Sequence, residues 1–414
     1  MSPKLSLPKD RIRILLLEGI SDTAAATLHE AGYRSVTRMA KALDGALLHN
    51  ALKGVHLLGI RSRTQMDAAA FAAADRLIAV GCFSVGTNQV DLEAAKAIGV
   101  PVFNAPFSNT RSVAELVMGE IVMLMRRIPD KSNGAHAGRW EKSAEGSREV
   151  RGKTLGIIGY GNIGTQLSVL AEAFGLRVIF HDVIPKLAHG NASGNTPLPV
   201  LLAQSDIVSL HVPETAATEG LMSREMIARM KPGAVLINNS RGTVVDLDAL
   251  ADALREERLA GAAVDVFPVE PGKPNDIFRS PLQGLPNVIL TPHIGGSTME
   301  AQERIGEEVS RKLVDWSDTG TTLGAVNFPE VALPARQIGT RFIHVHRNQP
   351  GVLAAVNDIF REARANVAAQ FLQTDPQIGY VVVDAEGIED TEAVQEALRT
   401  VPGTLRCRVL YDRG

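Results

Sequence analysis

Short apolar segments alternate with amphipathic ones through the first 330 residues of this 414-residue chain. Apolar runs of four to six residues fit buried strands, and stretches with apolar residues every three or four positions fit helices that cover them. Strands that alternate with helices form doubly wound parallel sheets, so we expect an α/β fold here. The segments that we assign to strands are 13–17, 55–60, 77–80, 100–103, 155–158, 176–180, 206–213, 234–242, 262–267 and 288–293.

The pattern changes after a proline-containing linker at 327–334. The C-terminal residues beyond this linker predict the order β-α-β-β-α-β, which is that of a ferredoxin-like unit. This order is shared by proteins of many functions, so alone it indicates a further domain and no activity. The predicted strands are 341–346, 367–373, 379–384 and 404–410, and the predicted helices are 352–363 and 391–400.

A glycine-rich turn, Gly159-Tyr-Gly161-Asn-Ile-Gly164, follows the strand 155–158 and opens a helical stretch. In dinucleotide-binding folds the first glycine permits the tight turn, the second lets the backbone approach a pyrophosphate, and the third lets helix and strand pack closely. Asp182 ends the next strand, where a carboxylate accepts hydrogen bonds from ribose hydroxyls and repels a 2′-phosphate. We therefore predict a Rossmann domain that binds NAD.

Composition limits the remaining possibilities. A chain of 414 residues is too long for one core, so we expect two or three domains. With 43 basic and 46 acidic residues the net charge is -3, which favours neither a nucleic-acid nor a membrane partner. The two cysteines lie far apart, the N-terminus lacks a signal-peptide core, and no metal-ligand spacing is present. We therefore expect a cytoplasmic protein with a small-molecule substrate and no metal.

Three candidate catalytic residues, Arg241, Glu270 and His293, follow strands of the predicted Rossmann domain. Hydride transfer between a 2-hydroxy acid and NAD needs a base for the hydroxyl proton and a cation for the carboxylate. His293 suits the first role and Arg241 the second, while Glu270 could orient the imidazole and raise its pKa. Taken singly, each residue also fits a structural role, such as a surface ion pair.

Arg61 and Arg63 follow the strand 55–60, at an edge where open α/β sheets bind ligands. Guanidinium groups match the geometry of carboxylate and phosphate oxygens. The alternative is an exposed basic loop without a ligand.

Several motifs resemble those of the D-isomer-specific 2-hydroxyacid dehydrogenases, namely 159–164, 238–242, 265–271 and 291–296. Segments 81–90, 104–115 and 348–351 are similar to the bacterial branch of that family that acts on 3-phosphoglycerate and carries a C-terminal ACT domain. The resemblance implies two Rossmann-like doubly wound parallel-sheet domains plus a C-terminal ferredoxin-like ACT domain. The implied domains are a substrate-binding domain of 1–108 with 297–330, an NAD-binding domain of 109–296 and an ACT regulatory domain of 339–414.

The same resemblance implies an activity and a set of site residues. The reaction would be oxidation of 3-phospho-D-glycerate to 3-phosphooxypyruvate by NAD, the first step of L-serine biosynthesis. A homotetramer inhibited by L-serine through the ACT domain would carry it out. The implied site residues are Arg241, Glu270 and His293 for catalysis; Arg61, Arg63, Asn109 and, toward a neighbouring subunit, Lys142 for substrate; His346, Asn348 and Asn366 for the effector; and Gly159, Gly161, Asn162, Ile163, Gly164, Asp182, Asn239, Ser240, Arg241, Asp265, His293, Ile294, Gly295 and Gly296 for NAD.

Two departures from the family pattern fall at the implied effector site, Arg347 and the pair Arg364-Ala365. Two other functions also fit the motifs. One is a dehydrogenase of 2-hydroxyglutarate or another 2-hydroxy acid, and the other is a non-enzymatic NAD(H)-sensing protein similar to corepressors built on this framework.

Overall fold

The computed structural model describes residues 7–271, 276–334 and 339–410. Residues 1–6 of the predicted first domain and 411–414 of the predicted third lie outside that description. The chain divides into two compact units. One unit is Met1–Ser108 with Gln302–Gly414, and the other is Asn109–Ala301.

The first unit contains a five-stranded parallel sheet covered by helices. Its strands, in chain order, are β1 Ile14–Leu16, β2 Val36–Arg38, β3 Leu57–Ile60, β4 Ala79–Cys82 and β5 Val102–Phe103, and its helices are α1 Asp22–Glu30, α2 Gly45–Leu52, α3 Ala68–Ala73 and α4 Leu92–Ala97. The spatial order is β2-β1-β3-β4-β5. The direction of winding therefore reverses between β1 and β3, which creates a crevice at their carboxyl ends.

The second unit contains a six-stranded parallel sheet. Its strands are β6 Thr154–Ile158, β7 Arg177–His181, β8 Ile207–Leu210, β9 Val235–Asn238, β10 Gly261–Val264 and β11 Val288–Leu290, and its helices are α5 Thr110–Met125, α6 Ile128–His136, α7 Asn162–Ala173, α8 Leu198–Gln204, α9 Arg224–Arg229 and α10 Leu247–Arg255. The order β7-β6-β8-β9-β10-β11 reverses between β6 and β8. This reversal lies beside the glycine-rich turn.

A four-stranded antiparallel sheet completes the first unit, with order β13-β14-β12-β15. Its elements are β12 Thr340–Arg347, α12 Val352–Glu362, β13 Asn366–Thr374, β14 Ile378–Glu386, α13 Thr391–Thr400 and β15 Thr404–Leu410, and the helix α11 Met299–Thr319 precedes them. One face packs Phe342 against Phe360, and the other packs Tyr380 near Trp316 of α11. The central strands are thus buried on both faces, whereas β13 is a largely exposed edge.

The predicted fold class is confirmed, because two parallel α/β sheets precede a β-α-β-β-α-β unit. The sequence of residues 108–115 favours Thr110 or Ser112 as the cap of α5, and this prediction is wrong. Asn109 occupies the cap position, and its side chain makes no capping hydrogen bond. The Ser112 hydroxyl instead hydrogen-bonds the hydroxyl of Thr298 at 2.7 Å. Within the described ranges, no helix is both long and apolar enough to cross a membrane.

Candidate functional site

The turn between β6 and α7 has the three properties that a pyrophosphate site requires. Gly159 has φ +91°, and a Cβ there would lie 2.5 Å from the carbonyl oxygen of His211. A Cβ at Gly164 would lie 2.3 Å from the Gly159 oxygen, so helix and strand could not pack as they do. At Gly161 a Cβ would meet nothing within 4 Å, and no side chain caps α7 there. The N–H groups of Asn162 and Ile163, at the start of the helix, therefore face a space that an anion can enter.

Asp182 lies immediately after β7, at the carboxyl edge of the same sheet. Its carboxylate accepts hydrogen bonds from the N–H of Tyr160 at 2.8 Å and of Ile184 at 3.0 Å. The Tyr160 ring stacks on Phe180, with ring centroids 3.7 Å apart. The acidic side chain is therefore fixed against the glycine-rich turn, where a ribose bound beside the pyrophosphate would lie.

The segment after β9 is ordered by hydrogen bonds within itself. The Asn238 side-chain oxygen accepts from the N–H of Ser240 at 3.1 Å and from its hydroxyl at 2.8 Å. The Asn238 amide donates to the carbonyl of Arg241 at 3.0 Å. Asn239 and Ser240 are buried, and Arg241 after them is half-buried. The hydrogen bonds of Asn238 therefore fix the backbone that carries the Arg241 guanidinium group.

Asp265, directly after β10, organises the loop that carries His293. One carboxylate oxygen accepts from the Thr291 hydroxyl at 2.6 Å and from the Ile294 N–H at 2.8 Å, and the other accepts from the Gly295 N–H at 2.8 Å. The Asp265 carbonyl accepts from the His293 N–H at 2.8 Å. Asp265 is buried, so its first effect is to fix the backbone of residues 291–295.

His293 and Glu270 form the pair expected from the sequence. The ring Nδ1 of His293 lies 3.0 Å from a carboxylate oxygen of Glu270. A carboxylate can only accept, so Nδ1 carries the proton and Nε2 is left as the basic nitrogen. His293 has φ +55°, in the left-handed region that non-glycine residues seldom adopt. Such a backbone is held in place by its surroundings, and here the bonds to Asp265 supply that restraint.

The charges around this pair shift both groups. The hydrogen bond that His293 donates to Glu270 is the main cause of the raised pKa of His293, and burial opposes it. Burial acts to raise the pKa of Glu270, but the hydrogen bond and charge of His293 bring it below its ordinary value. Arg241 is near enough that its positive charge lowers the pKa of both groups. A base, its carboxylate partner and a cation are therefore grouped at one edge of the sheet.

Two of the implied substrate residues lie in the second unit. A Cβ at Gly296 would lie 2.6 Å from the side-chain nitrogen of Asn109, so that asparagine borders the His293 loop. Its side-chain oxygen is buried and makes no hydrogen bond within the described part of the chain. Lys142 lies in an exposed irregular stretch beside Trp140, which is 89% exposed. The structure does not bring Lys142 to the catalytic pair of its own chain.

Arg61 and Arg63 belong to the first unit, in the loop after β3. Neither side chain makes a hydrogen bond or ion pair with another of the residues that the structure describes. Their loop is held by Glu18, which was not among the site residues predicted from the sequence. Glu18 is 9% exposed and accepts three backbone hydrogen bonds from this loop.

The three implied effector residues are not brought together within one chain. His346 pairs with Gly379 in the sheet, and Asn366 pairs with Glu386. Those partners are seven residues apart on β14, which corresponds to roughly 23 Å. Asn348 is at the His346 end, where it donates to the Asp375 carbonyl at 2.8 Å. Arg364 is one of the two residues before Asn366 that depart from the family pattern, and its φ is +52°. This left-handed conformation suits glycine better.

Glu120 was likewise not among the site residues predicted from the sequence. Its carboxyl group is fully buried in α5 and accepts from the Asn239 side chain at 3.0 Å. Burial raises the pKa of Glu120 to about 8. A charged residue type on the buried face of an amphipathic helix was the signal that could have identified it.

Two family models match the chain. Residues 118–295 match the D-isomer specific 2-hydroxyacid dehydrogenase NAD binding domain, and residues 342–406 match the AHAS small subunit-like ACT domain. The chain is 57% identical over 411 residues to D-3-phosphoglycerate dehydrogenase of Haemophilus influenzae, covering 99% of this chain and 100% of that one. It is 55% identical over 409 residues to D-3-phosphoglycerate dehydrogenase of Escherichia coli K12, with the same coverage.

Solved structures give the same picture for the dehydrogenase part. The D-lactate dehydrogenase of Aquifex aeolicus, complexed with NAD and lactic acid, matches with a TM-score of 0.66 at 28% identity, covering 77% of this chain and 100% of that one. The NAD-dependent formate dehydrogenase of Staphylococcus aureus, in complex with NAD, matches with a TM-score of 0.62 at 27% identity, covering 73% and 95%. With its NAD-binding turn, its ACT domain and relatives matched over their whole length, the chain belongs to the D-3-phosphoglycerate dehydrogenases, NAD-dependent enzymes of the D-isomer specific 2-hydroxyacid dehydrogenase family.

Proposed function

We propose that this enzyme oxidises 3-phospho-D-glycerate to 3-phosphooxypyruvate and thereby opens L-serine biosynthesis. The observation that carries the proposal is the His293–Glu270 pair with Arg241 beside it, at the edge where the glycine-rich turn would hold NAD. NAD, when bound, supplies the hydride acceptor. The residues named from the resemblance keep their roles around it, with Asp265 acting through the loop that it fixes.

The protein groups divide the chemistry between them. His293 accepts the hydroxyl proton at Nε2 in oxidation and returns it in reduction, because Nδ1 is committed to Glu270. Arg241 pairs with the substrate carboxylate through its guanidinium group. Arg61 and Arg63 hold the phosphate or carboxylate with side chains that no described residue occupies, and Asn109 and the neighbouring subunit's Lys142 complete the substrate contacts.

The test is the initial rate of 3-phosphooxypyruvate reduction by NADH, with 2-oxoglutarate as a competing substrate. We expect fast turnover of the phosphorylated acid and its loss in His293→Ala, while NADH binding measured by fluorescence stays near that of the native enzyme. Turnover of 2-oxoglutarate alone would move the assignment to 2-hydroxyglutarate. Unchanged turnover in His293→Ala would discard the mechanism.

We further propose that L-serine inhibits the enzyme through the ACT domain and that the enzyme is a homotetramer. The separation of Asn366 from His346 supports this, because one chain cannot surround a single amino acid with both. Antiparallel pairing of two exposed β13 edges would place the partner's Asn366 near the Thr374 end of this strand, beside Asn348. Serine titration of the NADH assay tests the inhibition, and sedimentation tests the assembly. Serine-insensitive turnover would remove the regulatory proposal alone.

The proposed division of labour follows the predicted domains. We assign substrate binding to residues 1–108 with 297–330, NAD binding to 109–296 and regulation to 339–414. The cytoplasmic location predicted from the cysteine content likewise stays a proposal.

A further inference from the structure

The loop that carries Arg61 and Arg63 is held by one carboxylate. Glu18 accepts hydrogen bonds from the backbone N–H of Arg61 at 3.1 Å, of Arg63 at 3.0 Å and of Thr64 at 2.9 Å. Both carboxylate oxygens take part. Hydrogen bonds to an ionised acceptor are stronger than neutral ones, so the three together fix the path of the loop.

The opposite side of the same peptide segment is also fixed. The side-chain amide of Gln89 donates to the carbonyl oxygen of Arg61 and also reaches the Ser84 hydroxyl. Gln89 is 7% exposed. The Arg61 backbone therefore has both its N–H and its carbonyl bonded to buried side chains, while its guanidinium group is left without a described partner.

The backbone of Glu18 has a left-handed conformation, which indicates that a glutamate is needed at this position. Glu18 has φ +62° and is followed by Gly19 at φ +64°. The left-handed conformation is unfavourable for a residue with a Cβ, and glycine or asparagine would suit it better. Non-glycine residues keep this conformation only where the surrounding structure holds them in it, and they cluster at functional sites.

The position in the sheet agrees with a ligand-binding role. Glu18 follows β1 and Arg61 follows β3, and these are the strands between which the winding reverses. Ligands of open α/β sheets bind outside the carboxyl ends of the strands at this reversal. The carboxylate is satisfied by backbone donors and forms no ion pair with a described arginine, so it orients the two cations without neutralising either by contact.

We propose that Glu18 is a positioning residue for anion recognition: it shapes the Arg61–Arg63 loop so that both guanidinium groups present themselves to the substrate's phosphate or carboxylate. The inference rests on the proposed function of that loop. Glu18 itself touches no substrate. Its effect should therefore appear in the KM for the anionic substrate and depend on Arg61.

The experiment compares Glu18→Gln, Arg61→Ala and the double variant in the NADH assay with 3-phosphooxypyruvate. Glutamine keeps one acceptor oxygen but replaces the other with an NH2 group, which cannot accept from a backbone N–H. We expect KM to rise about tenfold in Glu18→Gln, the equivalent of one strong hydrogen bond. The kcat should stay within about twofold, and the affinity for NADH should not change. In the double variant the increase in KM should be smaller than the product of the two single increases, because part of the effect of Glu18 passes through Arg61.

A matched control and a second variant separate positioning from folding. Asp75→Asn removes a carboxylate that accepts from the Gly54 N–H at the amino edge of the same sheet, so it should leave KM unchanged. If Glu18→Gln does not fold, Gln89→Ala loosens the same loop from its other side, and its KM should rise.

An unchanged KM in Glu18→Gln, or an additive double variant, overturns the inference while turnover by the native enzyme leaves the proposed function standing. An unchanged KM in Arg61→Ala overturns the inference as well. No turnover of the phosphorylated acid by the native enzyme removes the proposed function instead, and the same variants are then compared with 2-oxoglutarate.

Discussion

Replacing Glu270 by glutamine removes the negative charge that lies 3.0 Å from the Nδ1 of His293. That hydrogen bond is the main cause of the raised pKa of His293. The two side chains are 51% and 39% exposed, so water screens the pair, and a value of about 1 kcal/mol is appropriate for it. Removing the charge should therefore destabilise the protonated imidazole by about 1 kcal/mol and lower the pKa of His293 in Glu270→Gln.

The pH dependence of kcat/KM measures this shift in both directions of the reaction. In oxidation His293 must be neutral to accept a proton, so the rate rises as pH passes through its pKa. In reduction His293 must carry the proton, so the rate falls through the same pKa. Glutamine can still accept from Nδ1–H, which keeps the ring in place. We therefore expect both inflections to move to lower pH by the same amount.

The matched control is Glu225→Gln, which removes one negative charge from the second unit at a site that pairs with Arg229 and no histidine. Its profiles should coincide with those of the native enzyme. An inflection that does not move in Glu270→Gln, or that moves equally in the control, would refute the assignment of the pair.

Two further predictions concern the same unit. Gly161→Ala should leave the melting temperature unchanged, since its Cβ meets nothing within 4 Å, and should weaken NADH binding by at least about tenfold, since it fills the phosphate approach. Gly164→Ala should lower the melting temperature, because its Cβ would lie 2.3 Å from a carbonyl oxygen. Calorimetry measures the melting temperature and NADH titration the affinity, and together they distinguish the two variants. The pKa of Glu120 is raised from 4.5 to about 8, so between these pH values the folded state keeps a proton that the unfolded chain releases. The free energy of unfolding should therefore decrease by a few kcal/mol as the pH rises from 4.5 to about 8. Glu120→Gln cannot ionise, so the melting temperature of this variant relative to that of the native enzyme should increase from pH 5 to 8. A difference in melting temperature that stays constant with pH would contradict the prediction.

The elements that the sequence predicted best are those whose burial leaves a periodic trace. The helix α13 and the strand β15 have the predicted bounds, 391–400 and 404–410. The strand β2 was missed because Val36–Arg38 is short and largely exposed, so no burial pattern marks it. The helix α6 was missed because it contains Pro129, which a helix tolerates only in its first turn, and Gly134, which is a poor helix former.

The candidate site divides in a similar way. Residues at strand ends, such as His293 and Glu270, could be identified because a parallel sheet collects its carboxyl ends at one edge. Glu18 could not, because the backbone groups that it binds lie 43 or more positions away in the chain. Hydrogen bonds between a side chain and a distant backbone group leave no spacing in the sequence. Only the folded structure pairs them.

The first unit is discontinuous, and this affects the order in which the molecule can be built. Its core joins Leu28 and Leu57 to Leu313, Trp316 and Phe328, which the ribosome adds much later. Between Ser108 and Gln302 lies the whole of the other unit. At about 5 to 20 residues per second, synthesis of that stretch takes roughly 10 to 40 s. The NAD-binding unit can therefore complete its hydrophobic core during translation. The sheet that carries the Arg61 loop cannot complete its own core until the residues around Trp316 have been synthesised.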